Sequence, residues 1–492
     1  MVRATRRSAD IGIDGMRRVE SGTGQDGVED SRGKARSVIG TAARYAAGAT
    51  DPVCETRRIL DAIAEAAGRS VFTLTTADRA IAEARASAAR WQEGRPRGYL
   101  DGVAIAWKDL FDLAGEVTTV GSRVLDGEPA AERDAALVAR LAEAGAVAVG
   151  RVNMTEFAYS GLGLNPHHGT PVNPWSRDEP RVPGGSSSGS AVAVASGLVP
   201  LSIGSDTGGS VRIPAAFNGI VGYKTSGGRW PMGGVFPLSP TLDTLGVFSR
   251  SVADAVVVDA AARGLVAPDL RRGSLANLRL IVPTNVVMDA LEPAVLDNFE
   301  AALGRLAAAG ARVERRSVPA FDAVMALNAE HGALAAFEAH ALHRERIASE
   351  AVSRMDRRVV GRLRGAAAIP SDSQQIIRET RTRLVEEAAA LFDDRTLAAF
   401  PTVSHVAPAI AALEADDALF VRTNSKTLRN TMLGNMLDWC GISIPSGFSE
   451  AGLPTGLLLS GGPGRDDRLL ATALAAEDVI RGPADFRTPA ST

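Results

Sequence analysis

Val103-Ala104-Ile105-Ala106-Trp107 is an unbroken apolar run without alternation, the pattern of a short strand covered on both faces. Beyond it, residues 134–144 carry a helical period and residues 146–150 form a second apolar run. Before it, residues 56–67 and 76–91 read as helices. Thr75-Thr76-Ala77-Asp78 supplies a cap and a first-turn acid for the second, and Gly94-Arg95-Pro96-Arg97-Gly98 ends it. Strand, helix and strand in this rhythm predict an α/β fold with a mostly parallel sheet between helices. Downstream, residues 251–262 and 293–309 read as helices, and 278–283 and 312–316 as strands. Residues 320–395 are charged and helical without a motif, which predicts a peripheral insertion. The buried pattern returns at 397–401, 427–437, 442–445 and 456–459 and closes in a helix near 469–480. There is no internal repeat, and the length leaves open about three domains or one large α/β domain with attachments.

Composition narrows the function classes. The chain has 492 residues, 45% hydrophobic and 23% charged, with 54 Lys+Arg against 57 Asp+Glu. A net charge of −3 argues against a dedicated nucleic-acid or anionic-membrane binder, which needs surplus positive charge. The two cysteines, Cys54 and Cys440, stand too far apart in the chain for a disulfide framework or a cysteine-rich metal module. No apolar run is long enough to span a membrane. Residues 1–50 mix Arg3, Arg6, Arg7, Arg17 and Arg18 with Asp10, Asp14, Glu20, Asp26, Glu29 and Asp30. That stretch lacks a signal-peptide core and reads as a structureless tail, with Met16 an alternative start and the cytoplasm the expected location.

The 50 glycines hold most of the information, concentrated between Gly161 and Gly234. Apolar segments at 191–195, 199–203 and 211–221 run through this region, so it is no linker. Gly185-Ser186-Ser187-Ser188-Gly189 formally matches a nucleophile elbow. Its lead-in, Arg177-Asp178-Glu179-Pro180-Arg181-Val182-Pro183, is polar and broken by prolines, and only His405 could serve as a downstream histidine. A phosphate loop running into helix 190–196 lacks both the Gly-Lys-Ser/Thr and the G-x-G-x-x-G signatures. The third candidate is Asp206-Thr207-Gly208-Gly209-Ser210-Val211-Arg212-Ile213-Pro214. Glycines before a serine leave backbone N–H groups unshielded beside its hydroxyl, as an oxyanion hole requires. No histidine is near, which leaves a buried lysine as the base.

These blocks resemble the amidase signature family. The resemblance rests on 183–190, on 204–216 and on Gly219-Ile220-Val221-Gly222-Tyr223-Lys224. Leu100-Asp101-Gly102 with 103–109, Asn153-Met154-Thr155-Glu156-Phe157-Ala158, Asn173-Pro174-Trp175 and Gly452-Leu453-Pro454-Thr455-Gly456-Leu457 extend it over about 55–480. It implies a single large domain over residues 51–485 with a mixed, mostly parallel sheet of about eleven strands. It implies hydrolysis of a small carboxylic amide to acid and ammonia or amine, with no metal or organic cofactor. Position by position it makes Ser210 the acyl-forming nucleophile, Ser186 (in a cis peptide) the proton relay and Lys108 the base. It draws the oxyanion hole from the N–H groups of Thr207, Gly208, Gly209 and Ser210. Ser187 and residues 158–161, Ala158 among them, would border the acyl pocket. The partner it implies is a small-molecule amide, with a homodimer left open.

Elementary chemistry agrees with those roles. A lysine is a base only when neutral, so its pKa must fall from about 10.4 to roughly 7–8, worth about 4 kcal/mol. Lys108 directly follows the apolar run, and in a continuing strand Asp109 would point to the opposite face. The rate should then rise toward alkaline pH. Asp206 and Arg212 read as a pair supporting the nucleophile loop, Lys224 as structural, His167 and His168 as loop residues, and Cys440 as a core thiol. Asn430, Asn435 and Asp438 lie where they could reach the pocket. The alternative is the glutaminase component of a tRNA-dependent amidotransferase. Such components usually carry a Ser-Ser-x-Glu-Asn-type stretch after the Glu-Phe-Ala block, where this chain has Tyr159-Ser160-Gly161-Leu162-Gly163-Leu164-Asn165.

Overall fold

The computed structural model describes residues 37–486. Its strands are β1 (Phe72–Thr75), β2 (Ala104–Lys108), β3 (Val147–Val152), β4 (Leu201–Asp206), β5 (Val221–Lys224) and β6 (Thr244–Ser249). They continue with β7 (Arg279–Pro283), β8 (Arg312–Arg316), β9 (Thr396–Pro401), β10 (Cys440–Phe448) and β11 (Pro454–Gly461). All eleven form one sheet in the order β1-β3-β2-β4-β6-β5-β10-β11-β9-β7-β8. The sheet is mixed as expected, but its balance differs from the expected parallel majority. Four neighbouring pairs are parallel and six antiparallel. Parallel pairs need a crossover, and helices supply one only toward the two edges, for example Ala136–Glu143 between β2 and β3 and Pro293–Ala308 between β7 and β8. In the middle, a tight turn, where Ser449 N donates to the Leu453 carbonyl at 2.8 Å, sends β11 straight back along β10.

Alternation along β2 decides what lies on each face of the sheet. Ala104 and Ala106 pack into a cluster with helix Ser188–Ala195, whereas Ile105 and Trp107 enter the larger cluster on the other side. The alanines let that helix approach closely, and every residue of the helix is buried. At Gly189 a Cβ would come within 2.6 Å of the Val71 carbonyl, so only glycine lets the helix start lie against β1's approach. β2 and its parallel neighbour β4 end side by side at Lys108 and Asp206. In α/β sheets such carboxyl ends are where sites form.

The structureless reading of residues 1–50 needs correction at its end. Helix Val38–Ala46 is capped by Ser37, buries Val38 and Ala42 completely, and sends the Tyr45 hydroxyl to the Gly102 carbonyl at 3.1 Å. Its apolar face was masked by the polar stretch before it. Residues 1–36, with Met16, lie outside the described residues. The helices Pro319–His331, Leu334–Ala348, Arg357–Ala366 and Ser371–Ala389 lie between β8 and β9. Among the described residues no helix is long and apolar enough to cross a membrane.

Candidate active site

Lys108 is fully buried at the end of β2, and its Nζ donates to Ser186 Oγ at 2.7 Å and to Ser205 Oγ at 2.8 Å. Burial pushes the ammonium down to about 7, although the carboxylates of Asp206 and Asp243 pull it upward. The burial effect wins because, among the described residues, no carboxylate touches Nζ; its hydrogen bonds go to hydroxyls, which accept from either charge state. Asp109 does face the other way, as alternation demands. It pairs with buried Arg151 at 3.3 Å and accepts from the Thr119 hydroxyl and, at 3.0 Å, from Gly121 N.

The Gly185–Ser186 peptide is cis. Ser186 Oγ accepts from Lys108 just before helix Ser188–Ala195 begins. Ser210 lines a cavity of about 720 Å³, counting the part open to solvent, together with Thr207 and Gly208. Its hydroxyl makes no hydrogen bond among the described residues, so the expected link to Ser186 is unmade in this state. Catalytic hydrogen bonds that are loose in a free enzyme tighten when substrate fills the site.

One expected oxyanion donor is otherwise engaged. Gly209 N–H donates to Asp206 Oδ1 at 2.9 Å, and Gly209 is absent from the cavity lining. Its φ of +131° turns the backbone inward, and a side chain there would collide with Thr431 and Ile213. The groups at the cavity are therefore Thr207, Gly208 and Ser210. Ser187 also departs from expectation. It is fully buried, its hydroxyl faces the Ser205 carbonyl at 3.4 Å, and it does not line the cavity. As the residue leading into a buried helix it is turned into the packing. Ala158, Tyr159 and Ser160 do line the cavity.

Asp206 organises the turn. Its carboxylate accepts from Gly209 N, from Val211 N at 3.1 Å and from the Arg212 guanidinium at 3.0 and 2.8 Å. Burial would raise its pKa, but Arg212 and these hydrogen bonds hold it well below the usual carboxylate range. Asn435 completes the arrangement. Its Oδ1 accepts from Arg212 at 2.6 Å and its Nδ2 donates to the Asp206 carbonyl at 2.9 Å. Thr431, on the same helix Asp417–Met436, donates to the Gly208 carbonyl at 2.7 Å. Asn424 Oδ1 accepts from Ser160 Oγ and Gly161 N at 3.0 and 2.8 Å. One helix thus ties down both the nucleophile turn and the loop after Ala158.

Two further residues of the site, Ser205 and Asp243, escaped sequence reasoning. Ser205 is a second acceptor for Lys108, visible only once β4 lies beside β2. Asp243 accepts from the Thr207 hydroxyl at 2.5 Å and from Leu238 N and Ser239 N at 2.9 and 3.0 Å. Burial pushes its carboxyl up to about 6 against those hydrogen bonds and the charge of Lys108. The only sequence signal was an isolated acid in the apolar stretch Leu242-Asp243-Thr244-Leu245. Of the lesser residues, Lys224 is buried and donates to the Thr225 and Trp439 carbonyls. His167 meets Glu156 at 2.9 Å away from the cavity. Cys440 is a buried core thiol whose pKa burial raises. Asn430 donates to the Val287 and Pro401 carbonyls, and Asp438 accepts from Gly227 N.

A desolvated lysine joined to a serine has the chemistry to take a proton from a hydroxyl, and a second serine, in the turn after β4, lines a cavity with Thr207 and Gly208. The amidase family model matches residues 55–470, and the chain belongs to that family. It is accordingly an enzyme of the class that hydrolyses carbon–nitrogen bonds in amides. Over 397 residues it is 39% identical to a 2-amino-5-chloromuconic acid deaminase of Comamonas testosteroni, covering 79% of this chain and 84% of that one. It is 32% identical over 490 residues to a glutamyl-tRNA(Gln) amidotransferase component of Acidothermus cellulolyticus, covering 91% and 94%. A crystal structure of an amidase superposes with a TM-score of 0.80 at 29% identity, covering 90% of this chain and all of the other.

Proposed function

We propose that this enzyme cleaves a carboxylic amide to its acid and ammonia or amine through an acyl-enzyme on Ser210. Ser210 Oγ attacks the carbonyl carbon. Its proton passes through Ser186 to neutral Lys108, and the developing oxyanion meets the N–H groups at Thr207, Gly208 and Ser210. As the tetrahedral intermediate collapses, the proton returns along the same path to the departing nitrogen. A water activated by the same base then attacks the acyl carbon, releases the acid and restores the Ser210 hydroxyl. Asp206, Arg212 and Asn435 keep the turn in shape throughout.

The observation that carries this reading is the 2.7 Å hydrogen bond from fully buried Lys108 to Ser186. A lysine at that depth with its pKa near 7 has no role in solubility and is poised to take a proton. The test is to quench turnover of an amide and map the acyl adduct by mass spectrometry. The adduct belongs on the peptide containing Ser210 and is absent, with all turnover, from Ser210→Ala. An adduct elsewhere, or turnover by that variant, refutes the assignment.

The relatives named as amidotransferase components favour a second reading, a glutaminase that passes ammonia to a partner. It predicts glutaminase activity that appears only with a co-purifying protein. The 39% identical deaminase relative and the Tyr159–Asn165 stretch weigh on the side of a stand-alone enzyme.

A further inference from the structure

The cavity beside Ser210 is walled largely by apolar side chains, among them Leu238, Leu242, Leu334 and Met432. One charged side chain lines it: Arg362, from helix Arg357–Ala366. Its helix neighbours are spoken for, Arg357 by Asp417 at 3.0 Å and Arg358 by Asp356 at 2.8 Å. Arg362 has no carboxylate within ion-pairing distance among the described residues. It is held all the same. One terminal nitrogen donates to the Tyr159 carbonyl, and the guanidinium carbon sits 3.9 Å from the centre of the Tyr159 ring. Those two contacts orient the planar group, while Nε and the other terminal nitrogen have no acceptor among the described residues.

A guanidinium is charged at any working pH, and a half-buried one in an apolar cavity is poorly compensated unless an anion joins it. Its two free donors present the fork that matches a carboxylate. Because Arg362 is anchored to Tyr159, adjacent to Ala158 on the loop that borders the nucleophile's cavity, an anion bound there shares the chamber with the Ser210 hydroxyl. We infer that the substrate is an amide that also bears a carboxylate, with Arg362 gripping the carboxylate while the amide carbon is presented to Ser210. This rests on the amidase reading above and narrows it to anionic amides, setting aside neutral aliphatic, aryl and urea-like ones. A single cation on an apolar wall rewards an anion at one end of the substrate and an uncharged chain between the two ends.

The test pairs malonamate, succinamate and glutaramate with the neutral propionamide, butyramide and valeramide, scored by ammonia release. The wild-type enzyme is expected to favour the best carboxylate-bearing amide over its neutral partner by about 100-fold or more in kcat/KM, as a site built for a polar group does. Arg362→Gln should erase most of that ratio, chiefly through KM, and Arg362→Lys should recover part of it. A ratio that Arg362→Gln leaves intact, or a wild-type preference for the neutral amides, overturns the proposal. Succinate binding, followed by calorimetry without turnover, separates this inference from the catalytic one. Succinate bound in an Arg362-dependent manner while no amide is hydrolysed sinks the amidase reading and keeps the anion site. Hydrolysis of neutral amides with no succinate binding does the reverse.

Discussion

The nucleophile turn at residues 206–212 and the helical stretch at 319–389 face one another across the same cavity, and their polar groups are held in opposite ways. In the turn, the Asp206 carboxylate is dry, and backbone N–H groups, Arg212 and Asn435 saturate it. In the helical stretch, charges mostly meet water: Arg383 and Glu387 pair at 3.2 Å with their side chains 64% and 55% exposed. The turn is a closed network in which each group fixes the next. The helices form a wall with most of its charges in water, buried Glu338, held by Ser239 and Thr241, and the Arg358–Asp356 pair being the exceptions. On the proposed reading, the difference teaches that reaction type and substrate preference are stored separately, the first in buried hydrogen bonds and the second in the lining.

The harshest way to break this division is to strike the dry side. Lys108→Met should keep the fold and lower kcat by about 10⁴-fold or more, the loss seen when one member of a catalytic group is removed. A drop under tenfold, read from steady-state kinetics, would mean another base does the work. Next comes the backbone of the turn. Gly209→Ala puts a side chain against Thr431 at a φ that favours glycine, and the displaced Ser210 should cost about 10²-fold in kcat. Its circular dichroism should stay native.

A milder probe sharpens the electrostatics. The proposed mechanism needs neutral Lys108, which burial pushes down to about 7, so kcat/KM should fall about tenfold per unit as pH drops below that value and level off above it. Asp243 is negative above its own pKa of about 6 and raises that of Lys108. Asp243→Asn should therefore move the limb toward acid by about half a unit or more. A limb that moves toward alkali, or stays put, would remove Asp243 from the circuit. The smallest effect belongs to the wet side: Arg383→Ala should change unfolding free energy by less than about 0.5 kcal/mol and leave kcat/KM alone. A larger change in a denaturant titration would show that the helical wall is as tightly coupled as the turn.

Much of this was legible in the residues. The apolar run before Lys108 announced a doubly covered strand, and its alternation placed Asp109 away from the site. The glycines around Ser210 announced a turn with exposed N–H groups, and Asp206 and Arg212 announced their pairing. Other features were hidden because they depend on what lies alongside. Ser205 reaches Lys108 through β2–β4 pairing, and Asn435 reaches Asp206 across 229 positions of chain. Gly209 N–H was expected in the oxyanion hole, yet the Asp206 carboxylate takes it, a choice between two acceptors that composition does not reveal. The antiparallel centre of the sheet was missed because an apolar run has no direction.

What the amino-acid order determined alone was local: which segments could be desolvated, where the backbone could turn, and which side chains had the chemistry to attack, relay and accept a proton. Those are properties of a residue and its near neighbours. Only the tertiary structure decided how far the pKa of Lys108 falls, which N–H groups remain free, and that a lone guanidinium stands in the apolar chamber. Each is a sum over atoms from distant segments, and burial and charge act through space.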